Sequence, residues 1–227
     1  MATHLLREIE NLKREILALG AMAVATVRDA TSALENRDQS LARNVIENDV
    51  KLDEMEVGIE ENCLKILALH QPVASDPRFI IAILKMNSDL ERVGDLAVNV
   101  AEHAAFLATQ PPVDLSFDFG AMAYEAQRML EKSLDSLVNV SGEGAREVLA
   151  GDDEIDAMNR QMYLIVQEAT RAHPDQTESL IHLLSASQHL ERIADHATNI
   201  AENVIYLTEG MIVRHRSEDY LRDRLNR

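Results

Sequence analysis

Asp89-Leu90-Glu91-Arg92-Val93-Gly94-Asp95-Leu96-Ala97-Val98-Asn99-Val100-Ala101-Glu102 returns one hundred residues later as His189-Leu190-Glu191-Arg192-Ile193-Ala194-Asp195-His196-Ala197-Thr198-Asn199-Ile200-Ala201-Glu202. Four polar positions keep step between the copies: Glu91/Glu191, Asp95/Asp195, Asn99/Asn199 and Glu102/Glu202. On a helix turning about 100° per residue they fall at about 0°, 40°, 80° and 20°. The apolar positions Leu90, Val93, Ala97, Val100, Ala101 and Ala104 centre near ~230°, almost opposite. The stretch therefore reads as a helix that packs one face and displays carboxylates on the other.

A charged stripe is ordinarily a solvated face, because charged side chains are mostly exposed. Solvated faces usually mix signs, since like charges at i, i+4 are unfavourable. Here the i, i+4 pair is acid with acid in both copies, and neither Lys nor Arg falls within the stripe. An external cation is the simplest neutralising agent.

A second acidic stripe lies upstream, with Asp49, Asp53, Glu56 and Glu60 at about 0°, 40°, 340° and 20°. Its counterpart is Asp152-x-x-x-Asp156, with Met158 matching Met55; Asn159 and Tyr163 replace Glu56 and Glu60. In an antiparallel helix pair, residues equidistant from the turn share a level. Midway between the Asp49/Asp53 pair and the Glu91/Asp95 pair lies Pro72. Midway between Asp152/Asp156 and Glu191/Asp195 lies His173-Pro174. Both midpoints are turn sequences, so two acid-x-x-x-acid pairs should face each other in each half.

The chain around these motifs reads as helix throughout, with little Gly, few Pro and no long period-two alternation. Helices are expected over about 3–36, 39–70, 76–109, 116–140, 145–172 and from the His173-Pro174 turn to about 208. Asp76 is the expected cap and Pro77 the first helical residue of the third. Ser141-Gly142-Glu143-Gly144 reads as a turn, and Pro111-Pro112 opens the one clear linker. Gly20-Ala21-Met22-Ala23 recurs as Gly120-Ala121-Met122-Ala123. The expected fold is all-α: two tandem antiparallel three-helix bundles, six long helices, related by pseudo-twofold symmetry. Residues 1–110 form the first bundle, 111–115 the linker, 116–210 the second bundle and 211–227 a charged tail.

Composition narrows the function. The formal net charge is −17, aromatic residues are 4% and Trp is absent. A nucleic-acid binder needs a basic patch or stacking platforms, so that class is set aside. The single Cys63 excludes an internal disulfide framework, fits a reducing cytoplasm and reads as a core residue. The longest uncharged apolar run, Ile16 to Val27, is too short to span a bilayer. Membrane contact would be peripheral only.

The candidate metal ligands are Asp49, Asp53, Glu91, Asp95 and Glu102 with Asn99, and Asp152, Asp156, Glu191, Asp195 and Glu202 with Asn199. Oxygen donors without Cys suit hard ions such as iron, manganese or magnesium, one or several per site. Zinc prefers His or Cys. A ferritin-type di-iron centre would need Glu-x-x-His, which the chain lacks. His189 and His196 lie about 160° and 140° from Glu191, off the stripe, and read as interhelical or surface residues.

The doubled Leu-Glu-Arg-[Val/Ile]-[Gly/Ala]-Asp-x-Ala-x-Asn-[Val/Ile]-Ala-Glu motif, at 90–102 and 190–202, resembles the PhoU family. The resemblance extends to the helix count and the paired acid-x-x-x-acid motifs; Ala194 departs from the Gly seen at Gly94. It implies a cytoplasmic, non-catalytic negative regulator of the phosphate-starvation response. Such a protein relays the state of a high-affinity phosphate ABC transporter to a sensor histidine kinase, binds metal at the acidic motifs and forms a homodimer. Two other classes remain: a metal-dependent enzyme with clustered ions, and a metal-free helical adaptor. No Ser/His or Lys constellation in the sequence supports the enzyme.

Overall fold

The computed structural model describes residues 2–70 and 76–213. Among the described residues the chain is helical, with no strand. The long helices are α1 (Ala2–Asn36), α2 (Gln39–His70), α3 (Asp76–Leu107), α4 (Phe119–Asn139), α5 (Gly142–Ala172) and α6 (Thr177–Glu209). A short 3-10 turn, Pro174–Gln176, precedes α6. The expected turn at Pro72, the cap expected of the Asp76 side chain and the charged tail beyond Val213 lie outside the described residues.

Periodicity explains what each helix buries. In α1, Leu12, Ile16, Leu19, Ala23, Val27 and Ala30 recur every three or four residues, and all are buried. In α3 the buried row includes Ile83, Leu90, Val93, Ala97 and Val100; in α6 it includes Leu190, Ile193, Ala197, Ile200 and Val204. These two rows meet. α3 and α6 pack on each other at the centre, α1 and α2 flank α3, and α4 and α5 flank α6. Asp89 of α3 meets His196 and Asn199 of α6, whereas His103 meets His182, so the two helices run antiparallel. The main buried cluster draws on all six helices, and the seam therefore joins the two repeats through one apolar core.

Two glycines allow close approaches. A Cβ on Gly94 would stand 2.8 Å from Leu52 of α2, and one on Gly20 would stand 2.7 Å from Leu134 of α4. α1 has the length and apolarity of a bilayer-crossing helix over one window, more than its uncharged run suggests. Its apolar stripe is nonetheless enclosed by the other helices.

One local expectation fails. Ser141–Gly144 is not a four-residue turn, because α5 begins within it. Val140 takes the left-handed conformation (φ 50°) and ends α4. Ser141 then caps α5, its Oγ accepting from the Gly144 amide at 3.1 Å. The connection 108–118 is held from the α1–α2 corner, where Arg37 Nη2 donates to the carbonyls of Leu107 and Gln110.

The shared core makes a specific prediction. Leu190 is fully buried in the α6 row, so Leu190→Ala should destabilise the chain by about 2–5 kcal/mol. Calorimetry should show one transition moving as a unit. Two transitions, with only the later one shifted, would mean that the repeats fold independently.

Candidate functional site

Each repeat places its acid pairs across the groove between its second and third helices, on the side away from the α3–α6 seam. In the first repeat α2 supplies Asp49 and Asp53, and α3 supplies Glu91 and Asp95. Burial, followed by repulsion from Asp53 and Asp95, raises the Asp49 carboxyl above the usual carboxylate range. Burial, then Asp95, with smaller contributions from Glu56 and Asp53, raises Glu91. The four expected acids therefore feel one another across the groove, and Glu56 joins them.

The second repeat repeats the pattern more strongly. Asp152 is pushed up to about 6 by burial first, then by Asp195 and Asp156. Glu191 is pushed up to about 7 by burial, then by Asp195, Asp156 and Asp152. Asp195 is raised too, by burial and then Asp156. Asp49 and Asp152 hold equivalent places, and each has a buried Oδ1 without a hydrogen-bond partner. A buried carboxylate oxygen left unpaired is costly. An oxygen-only donor set with an orphaned oxygen in each half suits a hard cation. As the side chains stand, however, no three acidic, His or Cys groups among the described residues converge on a common point that could hold an ion.

One reason is visible in the first repeat. The stripe was expected to contain no cation, but Arg92 reaches into it from beside. Its Nη1 lies 2.7 Å from Asp95 Oδ2 and its Nε 3.4 Å from Glu91 Oε2. A helical projection locates Cβ atoms, and a long Arg stem carries its head group well beyond them. In the second repeat Arg160 Nη1 lies 3.2 Å from Asp156 Oδ2. Ligation through Oδ2 of Asp95 or Asp156 would displace these arginines.

The remaining expected ligands are dispersed. Asn199 turns to the seam, where its Nδ2 donates to Asp89 Oδ1 at 3.3 Å. Glu202 lines a small cleft with Lys85, Asn203 and Tyr206. Glu102 is exposed and Asn99 is half-buried. A stripe sixteen ångströms long, at about 1.5 Å per residue between Glu91 and Glu102, cannot all serve one level of the groove.

Sequence reasoning missed the groups that surround the acids. Buried Asn87 donates to the Glu56 carbonyl and to Glu56 Oε1, both at 2.9 Å. At the equivalent place Ser187 Oγ donates to Asn159 Oδ1 at 3.1 Å. The offset of one hundred already paired Asn87 with Ser187 and could have revealed this. Between the repeats, His196 Nδ1 lies 2.9 Å from Asp89 Oδ1. His103 Nδ1 lies 2.8 Å from His182 Nδ1, and its ring stacks on His189 at 5.3 Å. Burial, with the neighbouring imidazoles, pushes His103 down to about 4. His189 and His196 thus lie between helices, as expected. Cys63 is buried, and burial pushes its thiol up to about 12.

Comparison with known proteins shows what the two-repeat chain is similar to. The family model for the PhoU domain matches residues 16–104 and again residues 119–204. The phosphate-specific transport system accessory protein PhoU homolog of Aquifex aeolicus is 36% identical over 93% of this chain and 96% of its own. The accessory protein PhoU of Serratia marcescens is 34% identical over 94% and 88%. Among solved structures, PhoU from Pseudomonas aeruginosa superposes with a TM-score of 0.86 at 34% identity, covering 90% of this chain and 99% of that one. The phosphate transport system regulatory protein PhoU from Streptococcus pneumoniae gives 0.82 at 28% identity, covering 92% and 99%.

The raised carboxyls predict an unusual pH response in chelated protein. Glu191 shifts from 4.5 to about 7 and Asp152 from 3.8 to about 6 on folding. The folded chain therefore holds protons that the unfolded chain has released, and stability falls as pH rises through that window. His103 acts oppositely below its unfolded value of 6.5. The melting temperature should consequently rise as pH is lowered from about 8 to about 6.5. Glu191→Gln should remove most of that rise. A melting temperature that falls over this interval in the parent protein would show that the acids do not repel as described.

Proposed function

Because this chain belongs to the PhoU family, whose relatives above are named as accessory or regulatory proteins of phosphate transport, we propose that it is a non-catalytic regulator of phosphate uptake. It represses the phosphate-starvation response by relaying the state of a phosphate ABC transporter to a sensor histidine kinase. It acts in the cytoplasm as a homodimer, touches the membrane only peripherally and does not bind DNA. The observation that carries this reading is the doubled acid-x-x-x-acid face in a chain that matches the PhoU domain twice. The net charge of −17 is compatible with partners that present basic patches, for which charge complementarity sets on-rate and specificity.

Within that role the acidic grooves bind iron, manganese or magnesium. Asp49, Asp53, Glu91 and Asp95 would hold ions in the first groove, and Asp152, Asp156, Glu191 and Asp195 in the second. A bound ion would replace carboxylate repulsion with attraction and fix α2 to α3 and α5 to α6. The arginines at Asp95 and Asp156 would swing out to solvent. The second reading is a metal-free helical adaptor. It is favoured by the lack of a convergent trio among the described residues and by the ion pairs that Arg92 already makes.

Elemental analysis after incubation with iron or manganese separates the two, and at least one ion per chain is expected. Metal should raise the melting temperature most at pH 8 and less on acidification, because the ligands must be deprotonated. Glu91→Gln with Asp95→Asn should weaken the first site and leave the second intact. Less than one ion per chain leaves the adaptor. For the regulatory role, deleting the gene should make phosphate-scavenging genes constitutive in high phosphate. Pull-down should recover a transporter subunit or the kinase's cytoplasmic region, less of it at high salt. A deletion strain that represses normally with unchanged uptake, or tight specific DNA binding at physiological salt, would overturn the role.

A further inference from the structure

The end of the bundle remote from the 108–118 connection carries a cavity that the acidic grooves do not use. It opens where α1 and α3 begin and α4 and α6 finish, and its volume is about 270 Å³. Ile9, Phe79, Leu137 and Val204 line it, together with Lys13 and Arg78. Among the described residues no carboxylate does, in a chain with 39 acidic side chains against 22 basic ones.

Among the described residues neither Lys13 nor Arg78 has a carboxylate within 4 Å. Lys13 Nζ makes only a long contact, 3.5 Å, to the Val138 carbonyl. The Arg78 guanidinium stands over the Tyr206 ring at 5.7 Å and against Gly210 at the end of α6. Val140, on the rim, is 58% exposed. An acidic protein has thus gathered, around an apolar hollow, two cations with no carboxylate partner among the described residues.

We propose that this cavity binds an anionic amphiphile, a medium-length alkyl chain ending in a carboxylate. The chain lies against Phe79, Leu137 and Val204, and the head sits between Lys13 and Arg78. Size supports the chain, because a dry apolar cavity of about 150 Å³ already holds benzene. The two cations select the head. A bare inorganic anion would leave the apolar walls unused, and a neutral lipid would leave the cations unused. Nothing in this site depends on the acidic grooves or on the regulatory role.

Octanoate and 1-octanol, which share a chain and differ in the head, test the proposal on the full-length protein. Calorimetric titration below aggregate-forming concentrations should show one saturable octanoate site per chain. Methyl NMR should place the shifts on Ile9, Leu137, Val204 and Leu207, the last of which also lines the cavity. Octanol should bind at least about tenfold more weakly, the worth of one charge-assisted hydrogen bond. Lys13→Glu with Arg78→Glu should lower octanoate to the level of octanol and leave octanol unchanged. Leu207→Trp should fill the cavity and abolish both; if circular dichroism shows that variant unfolded, Ile9→Phe serves instead. Unsaturable octanoate binding, equal affinity for octanol, indifference to the charge reversals or binding that survives the filled cavity would each overturn it.

Discussion

The antiparallel packing of α3 on α6 is the constraint from which the other positions follow. Each of these helices spends its apolar row on the other and on its own flanking helices. The acidic stripe, almost opposite that row, is thereby turned away from the seam and into the groove with α2 or α5. Full burial of a Leu, Ile or Val side chain is worth about 1.5–3 kcal/mol, and the shared core contains dozens of such residues. Apolar packing of that extent can hold carboxylates near one another although they repel. The raised Asp49, Glu91, Asp152, Glu191 and Asp195 carboxyls record that balance.

The two grooves are related but unequal. The first has an additional acid, Glu56, gripped by Asn87, and an arginine bridging Glu91 and Asp95. The second has neutral Asn159 and Ser187 at those places and loads its strain on Asp152 and Glu191. The two repeats therefore share the same carboxylate frame and differ in what surrounds it. Proton affinity differs between the halves as a result: the second groove holds protons near neutral pH.

The offset of one hundred made most of the fold legible. Helical periodicity located all six helices, and turn symmetry placed the four core acids of each groove opposite one another. Legibility failed where a side chain's reach or direction matters. Arg92 escaped because angular position describes the backbone, not the guanidinium. Asn199 sits at the border of its stripe, where about 80° of rotation brings it to the seam. Glu202 shares an angle with Glu191 but lies too far along the axis. At Ser141 a run of small residues hid a cap. The cavity around Lys13 and Arg78 assembles residues from four helices and had no signature in one stretch of sequence.

The Asp89–His196 contact has a consequence beyond cohesion. Under the internal symmetry its mirror position pairs His189 with Leu96, so the seam has complementary chemistry in one orientation only. A first half docked on another first half would set the buried Asp89 carboxylate against Leu96. A second half docked on its like would crowd His189 toward His196. Docking of like on like therefore loses this contact, whereas a first half on a second half keeps it. The contact acts as a key that sets unlike halves against each other in a chain built from a repeat.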